Sequence, residues 1–217
     1  MQLKERIEDE VHLTLIGMGL NSSTKSFVYL KAIICDMVWD PGVNPREKIY
    51  HSYAERFGVS YAILDRSVTY LNGISYKRQS KTYKDIFSYY GGEPSVKRKN
   101  YEFLKTIASY IRNSMYDKWD EKNQLEIVVN NYLIKEKVIL SSKGFYLIKD
   151  AILLVIEKEG EVLSSDKLFK GGQLNSNITS CSRALNNLQT SPQQFIYEMA
   201  YKISRATKRP YKRVLVG

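Results

Sequence analysis

Apolar residues recur along this chain at three- and four-residue spacing, the period of a helix with one buried face. Leu3, Ile7, Val11, Leu15 and Met18 form the first such stripe. Gly17 and Gly19 close it, and Asn21-Ser22-Ser23-Thr24 supplies capping oxygens for a second helix. That helix, residues 25–38, carries Phe27, Leu30, Ile34 and Val38 on one side, and Trp39-Asp40-Pro41-Gly42 stops it. A third helix from Pro45 presents Ile49, Tyr53, Ala54 and Phe57 and ends at Gly58. Ser60 caps a fourth, residues 60–71, with Leu64, Val68 and Leu71 inward. Residues 72–83 are polar and basic and read as a turn or wing-like excursion, followed by the short aromatic segment Ile86-Phe87-Ser88-Tyr89-Tyr90. A last helix, residues 100–111, packs Phe103, Leu104, Ile107, Ala108 and Ile111. No segment alternates with period two for long enough to demand a strand, so the chain is expected to be all-α.

The pattern then starts again. Lys25-Ser-Phe-Val-Tyr-Leu-Lys-Ala-Ile-Ile34 returns as Lys143-Gly-Phe-Tyr-Leu-Ile-Lys-Asp-Ala-Ile152, 118 positions later. The run Ser60 to Leu71 returns as Ser176 to Leu188, with Arg66 matched to Arg183, and Tyr101-Glu-Phe-Leu104 is answered by Gln193-Gln-Phe-Ile196. Three anchors in one order indicate a duplicated domain, shortened in its second copy between the last two anchors. The expected organisation is copy one at 1–112, a linker or helical spacer at 113–123, copy two at 124–205 and a basic tail at 206–217. Copy two is expected to place helices near 124–138, 143–157, 164–170 and 176–188, and a final one from Pro192, a residue suited to a first helical turn. At 217 residues, each half is long enough for its own core.

Charge adds a partner class. The net charge is +10, and it is localised. Lys77, Arg78, Lys81, Lys84, Lys97, Arg98 and Lys99 face only Asp85 and Glu93 between residues 77 and 99. Lys202, Arg205, Lys208, Arg209, Lys212 and Arg213 stand in the second basic segment without an acid. Two clusters of this kind point to a polyanion. Other chemistry is sparse. Cys35 and Cys181 sit on apolar faces and are expected to be free thiols. His12 and His51 belong to no metal-spaced cluster, no glycine-rich phosphate loop is present, and no arginine–histidine set converges on one of the 17 tyrosines. No catalytic residues, no metal and no cofactor are therefore expected. The N-terminus lacks a signal-peptide core and no apolar run approaches a membrane span, so the expectation is a cytoplasmic protein without a membrane partner.

The third and fourth helices of copy one read as short helix, glycine-containing turn, second helix with an apolar inner face: the pattern of a helix-turn-helix. The outward face of the second helix holds Ile63, Asp65, Arg66, Thr69 and Tyr70. Arg66 can bond a guanine edge bidentately, Asp65 can accept from cytosine or orient Arg66, and Thr69 can touch a base or a phosphate. In copy two the equivalent outward positions are Ser180, Ser182, Arg183 and Asn186. Phosphate contacts are expected from Ser60, Lys77, Arg78, Lys81, Lys97, Arg98 and Lys99, and from Lys208, Arg209, Lys212 and Arg213.

These motifs carry a resemblance. Lys25-Ser-Phe-Val-Tyr-Leu-Lys-Ala-Ile, Ile49-Tyr50-x3-Ala54-Glu-Arg-Phe57, Asp65-Arg-Ser-Val68, Ile86-Phe87 and Pro94-x8-Phe103-Leu104 resemble the C-terminal DNA-binding effector domain of the sporulation master response regulator of endospore-forming bacteria. The resemblance covers most of 8–112 and, more faintly, 125–205. It implies tandem all-helical domains whose helix-turn-helix reads the major groove on adjacent boxes, with contact to RNA polymerase. The family's receiver domain is expected to have no counterpart in this chain. Two departures stand out: Ile63 and Thr69 occupy positions where the family carries arginines, and copy two keeps only Arg183 of the reading set. The expected function is sequence-specific binding of double-stranded DNA by a transcriptional regulator, acting as a two-headed monomer or a weak dimer on DNA. Replication or transfer of a plasmid or mobile element is an alternative output. A module that titrates a response regulator or RNA polymerase without reading DNA is the rival of another class.

Overall fold

The computed structural model describes residues 3–41, 50–89, 93–138, 143–169, 174–185 and 190–211. Within them the chain forms eleven α-helices and no strand. Met1–Lys118 and Trp119–Gly217 form two compact units. Unit 1 holds α1 (Leu3–Gly17), α2 (Lys25–Trp39), α3 (Tyr50–Phe57), α4 (Tyr61–Arg78), α5 (Lys81–Tyr89) and α6 (Asn100–Ser114). A single 3₁₀ turn, Tyr116–Lys118, follows α6. Unit 2 holds α7 (Glu121–Lys135), α8 (Lys143–Glu157), α9 (Ser165–Leu168), α10 (Leu174–Leu185) and α11 (Pro192–Ala206).

The helix bounds reproduce the internal repeat. α7 and α8 begin 118 positions after α1 and α2, α11 begins 92 after α6, and all six of these helices are 15 residues long. Packing follows the same order. α2 is the central helix of unit 1, flanked by α1, α4 and α6; α8 is flanked by α7, α10 and α11. Phe27, Leu30 and Ile34 of α2 are matched by Phe145, Ile148 and Ile152 of α8, all buried. Each such side chain contributes about 1.5–3 kcal/mol by leaving water. Even the end of the first helix is copied. Leu20 N donates to Leu15 O (3.1 Å) and Val138 N to Leu133 O (3.0 Å), around left-handed residues at Gly19 (φ +81°) and Lys137 (φ +61°).

Several boundaries differ from the sequence reading. α4 continues through residues 72–78, read above as a turn, because Asn72 and Ser75 extend the inward stripe of Leu64, Val68 and Leu71. The aromatic segment after it is a helix, α5, that buries Tyr83, Ile86 and Phe87 against α1 and α6. The division between the units falls within residues 113–123, where α6 runs to Ser114 and Asp120 caps α7 by accepting from Asn123 N (2.8 Å). After α11 the chain folds back as far as Tyr211, whose hydroxyl donates to Tyr197 O (3.2 Å) and whose ring lies 5.7 Å from Tyr201; the rest of the basic tail lies outside the described residues. No described helix is long and apolar enough to cross a membrane.

Two buried cations explain how α6 grips α2. Arg112 donates from Nη1 to Val38 O (2.7 Å), and the Lys105 ammonium donates to Pro41 O. Val38 O is one of the last carbonyls of α2, which the helix leaves without amide partners, and Pro41 O lies just past the helix end. In unit 2 the residue matched to Lys105 is Tyr197. Its hydroxyl accepts from Leu163 N (2.6 Å) and donates to Glu161 O (3.1 Å), fixing the segment after α8.

Candidate nucleic-acid interface

α3 and α4 are joined by a three-residue turn. Gly58 adopts φ +62°, Gly58 N donates to Glu55 O (3.2 Å) and Val59 N to Ala54 O (2.9 Å), which ends α3 and sends the chain into Ser60. α3 is secured to α2 by its aromatic residues: the Tyr53 hydroxyl donates to Asp36 Oδ2 (2.9 Å), and the Phe57 ring lies 4.9 Å from Tyr29. Burial, together with that bonded carboxylate, raises the Tyr53 hydroxyl pKa well above its ordinary value. Ser60 precedes α4 in extended conformation and its side chain makes no capping bond, so its hydroxyl stays available at the helix N-terminus. Ile49 and Pro45 lie outside the described residues.

Leu64, Val68 and Leu71 hold the inner side of α4 against the core. The opposite side therefore presents Ile63, Arg66, Thr69 and Tyr70, spaced by three and four residues, then Gly73 and Lys77. Ile63 is 44% and Tyr70 60% exposed. Asp65 is half-buried at the edge of this face.

A second segment borders that face. The Tyr76 hydroxyl donates to Ser95 O (2.8 Å), Gln79 Nε2 to Pro94 O (2.9 Å) and Asn72 Nδ2 to Arg98 O (2.8 Å), so three residues of α4 and its cap pin residues 94–98 along the helix. The Lys97 ammonium lies over Gly73, 3.7 Å from where a Cβ there would stand. Lys99 is exposed and precedes Asn100, whose Nδ2 donates to Thr69 Oγ1 (2.7 Å) and Asp65 Oδ1 (3.4 Å). Lys77, Lys97 and Lys99 thus border Arg66, Thr69 and Tyr70. Among the described residues these cations form no ion pair.

The other predicted cations of unit 1 are placed differently. Arg78 lays its stem against Gly19, 3.1 Å from a Cβ position there, and so reaches over the end of α1. Lys81 opens α5 and is exposed. Arg98 turns into its own segment, with Nη2 donating to Glu93 O (3.4 Å). Thr69 is also less free than its position suggested: it donates to Asp65 O (2.8 Å) while accepting from Asn100.

The matching helix of unit 2 is chemically quieter. Ser180 and Ser182 donate to the carbonyls of Ser176 (2.8 Å) and Ile178 (3.0 Å), and Thr179 to that of Asn175 (2.8 Å). Hydroxyls that bond back onto their own helix have given their one donor to it. Arg183 is exposed; Asn186, the remaining candidate, lies outside the described residues. Lys208 is exposed, whereas Arg209 reaches Glu121 (3.5 Å) and Lys202 reaches Glu136 (3.8 Å). Lys212 and Arg213 lie outside the described residues. The sequence reading missed Asn72 and Asn100, which carry no pattern that separates them from ordinary surface amides.

Nothing in the described residues gathers three or more metal-ligating side chains. Burial pushes the Cys35 and Cys181 thiols up to about 12, which suits packed, unreactive groups. Comparison of the chain with protein-family models, with curated proteins and with solved structures finds no match.

Proposed function

We propose that the chain is a double-stranded DNA-binding protein, a transcriptional regulator that reads bases with the exposed face of α4. In this reading α3 and α4 are a helix-turn-helix and α4 enters the major groove, as the resemblance to the sporulation regulator's effector domain implies. The observation that carries it is the juxtaposition of Arg66, Ile63 and Tyr70 with Lys77, Lys97 and Lys99. Base-reading groups occupy the centre of the face, and the cations at its border suit phosphates. Arg66 pairs with guanine, Asp65 accepts from a base amino group, and the Ile63 side chain offers apolar contact to a thymine methyl. Unit 2, with α10 hydroxyls turned onto their own backbone, contributes affinity more than sequence preference, with Arg183 and Lys208 as its phosphate contacts. Joining two modest binders raises affinity through effective concentration.

The rival reading is protein docking, favoured by Ile63 and Tyr70 lying so exposed on one helix. A gel shift separates the two. Arg66→Ala is expected to relax preference at one base position, at a cost of about 1–3 kcal/mol there. Lys97→Ala is expected to weaken all duplexes alike and to lower the slope of log affinity against log salt by about 1. A face that docks protein would show neither effect.

A further inference from the structure

Asn100 is the first residue of α6, yet its side chain bonds to three residues of α4. Its amide orientation follows from its partners. The Asp65 carboxylate can only accept, and Thr69 Oγ1 already donates to Asp65 O (2.8 Å), so both must face the Asn100 NH₂ group. The Asn100 oxygen then accepts from Asn72 Nδ2 (3.3 Å), a side chain 1% exposed that also donates to Arg98 O (2.8 Å). Asp65, Thr69, Asn100, Asn72 and the backbone of the Lys97–Lys99 segment are therefore one connected network.

A carboxylate on a DNA-facing surface is repelled by phosphates, so it aids recognition only when fixed toward a base donor. An unfixed Asp65 would sample rotamers near the backbone and oppose binding. Building on the proposed DNA reading, we infer that Asn100 is a positioning residue. It holds one Asp65 oxygen so that the other is presented to a base amino group, and through Asn72 it ties that presentation to the cationic segment. Base reading and phosphate contact are thereby set in one register. Asn100 itself touches no base.

Asn100→Asp is the discriminating variant. It keeps the side chain's size and the acceptor for Asn72 but replaces the donor with a second carboxylate beside Asp65. An acid in the first turn of α6 favours the helix, which offsets part of the repulsion between the two carboxylates. Because the added charge weakens every duplex, the readout is the ratio of affinity for a selected duplex to that for a random one. Asn100→Ala, which adds no charge, is measured beside it. Duplexes selected by the wild-type chain from a random pool serve as probes, and circular dichroism monitors the fold. Both variants are expected to lose about tenfold or more of that ratio, the size of one hydrogen bond to a charged group. The loss should concentrate at a position distinct from the one relaxed by Arg66→Ala, and the salt slope of Asn100→Ala should match wild type. A wild-type chain that binds duplexes while both variants keep its preference overturns the positioning role alone. A wild-type chain that binds no duplex at low salt overturns the DNA reading, and this role with it.

Discussion

Gly144→Ala sets two physical effects against each other, and the structure decides the sign. Gly144 is the second residue of α8, buried where α8 crosses α10. In an isolated helix, alanine is favoured over glycine by about 1 kcal/mol. In place, a Cβ would stand 2.0 Å from Ser180 O, 2.6 Å from Ser180 C and 2.8 Å from the Ala184 Cβ. The obstacles are backbone and a methyl on the helix itself, so α10 must retreat by more than about 1 Å to reach ordinary contact. That retreat loosens Cys181 and Ala184 on α10, both buried in the core of unit 2. Overpacking of this kind costs about 1–3 kcal/mol and occasionally more. With the obstacle rigid, the upper end applies, and about 2 kcal/mol of net destabilisation remains after the gain in propensity. In copy one the matched residue is Ser26, whose hydroxyl donates to Ser67 Oγ (3.3 Å), so that crossing is already spaced for a side chain. Ser26→Ala is expected to change stability by less than about 1 kcal/mol. Because the chain holds two compact units, a single unfolding free energy is ill-defined. Native-state hydrogen exchange resolves the effect by helix: amides of α8 and α10 should exchange roughly thirtyfold faster in Gly144→Ala, and those of α2 and α4 should not change. Slower exchange in α8 would mean that helix propensity outweighs packing and that the crossing is looser than described.

Other consequences follow from single groups. Tyr197→Phe removes the acceptor of the Leu163 amide and the donor to Glu161 O, and is expected to cost about 1–3 kcal/mol, read as faster exchange in residues 161–163. Desolvation raises the half-buried Cys35 and the buried Cys181 thiols to about 12 from an ordinary 9.0, so folding favours their neutral form. Their contribution to stability is complete below about pH 9 and is lost as pH rises toward 12, and a double Cys35→Ser, Cys181→Ala chain should show a shallower alkaline decline in denaturant titrations. At pH 8, alkylation of the folded chain should run at least about a hundredfold slower than in denaturant.

How much of this was legible in the sequence depends on which residues carried it. The apolar stripes predicted the all-α fold, and the recurrence of Lys25–Ile34 at Lys143–Ile152 anticipated the matched helices α2 and α8. The far end of α4 was hidden because its inward residues are Asn72 and Ser75, which hydropathy reads as surface. Lys105 and Arg112 were hidden for a related reason: they are buried at the C-terminal end of α2, where carbonyls rather than acids receive them. The outward face of α4 could be read from helical spacing alone. That Lys97 and Lys99 lie beside it could not, since their placement rests on bonds between residues 15 to 31 apart in sequence. The free-looking hydroxyls of Ser180 and Ser182 misled in the opposite direction, because only coordinates reveal a bond back to the helix.

The central claim is that α4 of unit 1 reads duplex DNA, and selection from a random duplex pool tests it most directly. The wild-type chain and Arg66→Ala are carried through the same selection, and bound sequences are compared after washing at low and at moderate salt. The account predicts an enriched motif for wild type and the same motif with one position relaxed for Arg66→Ala, with retention falling steeply as salt rises. No enrichment at either salt, or an identical motif from both chains, would contradict it.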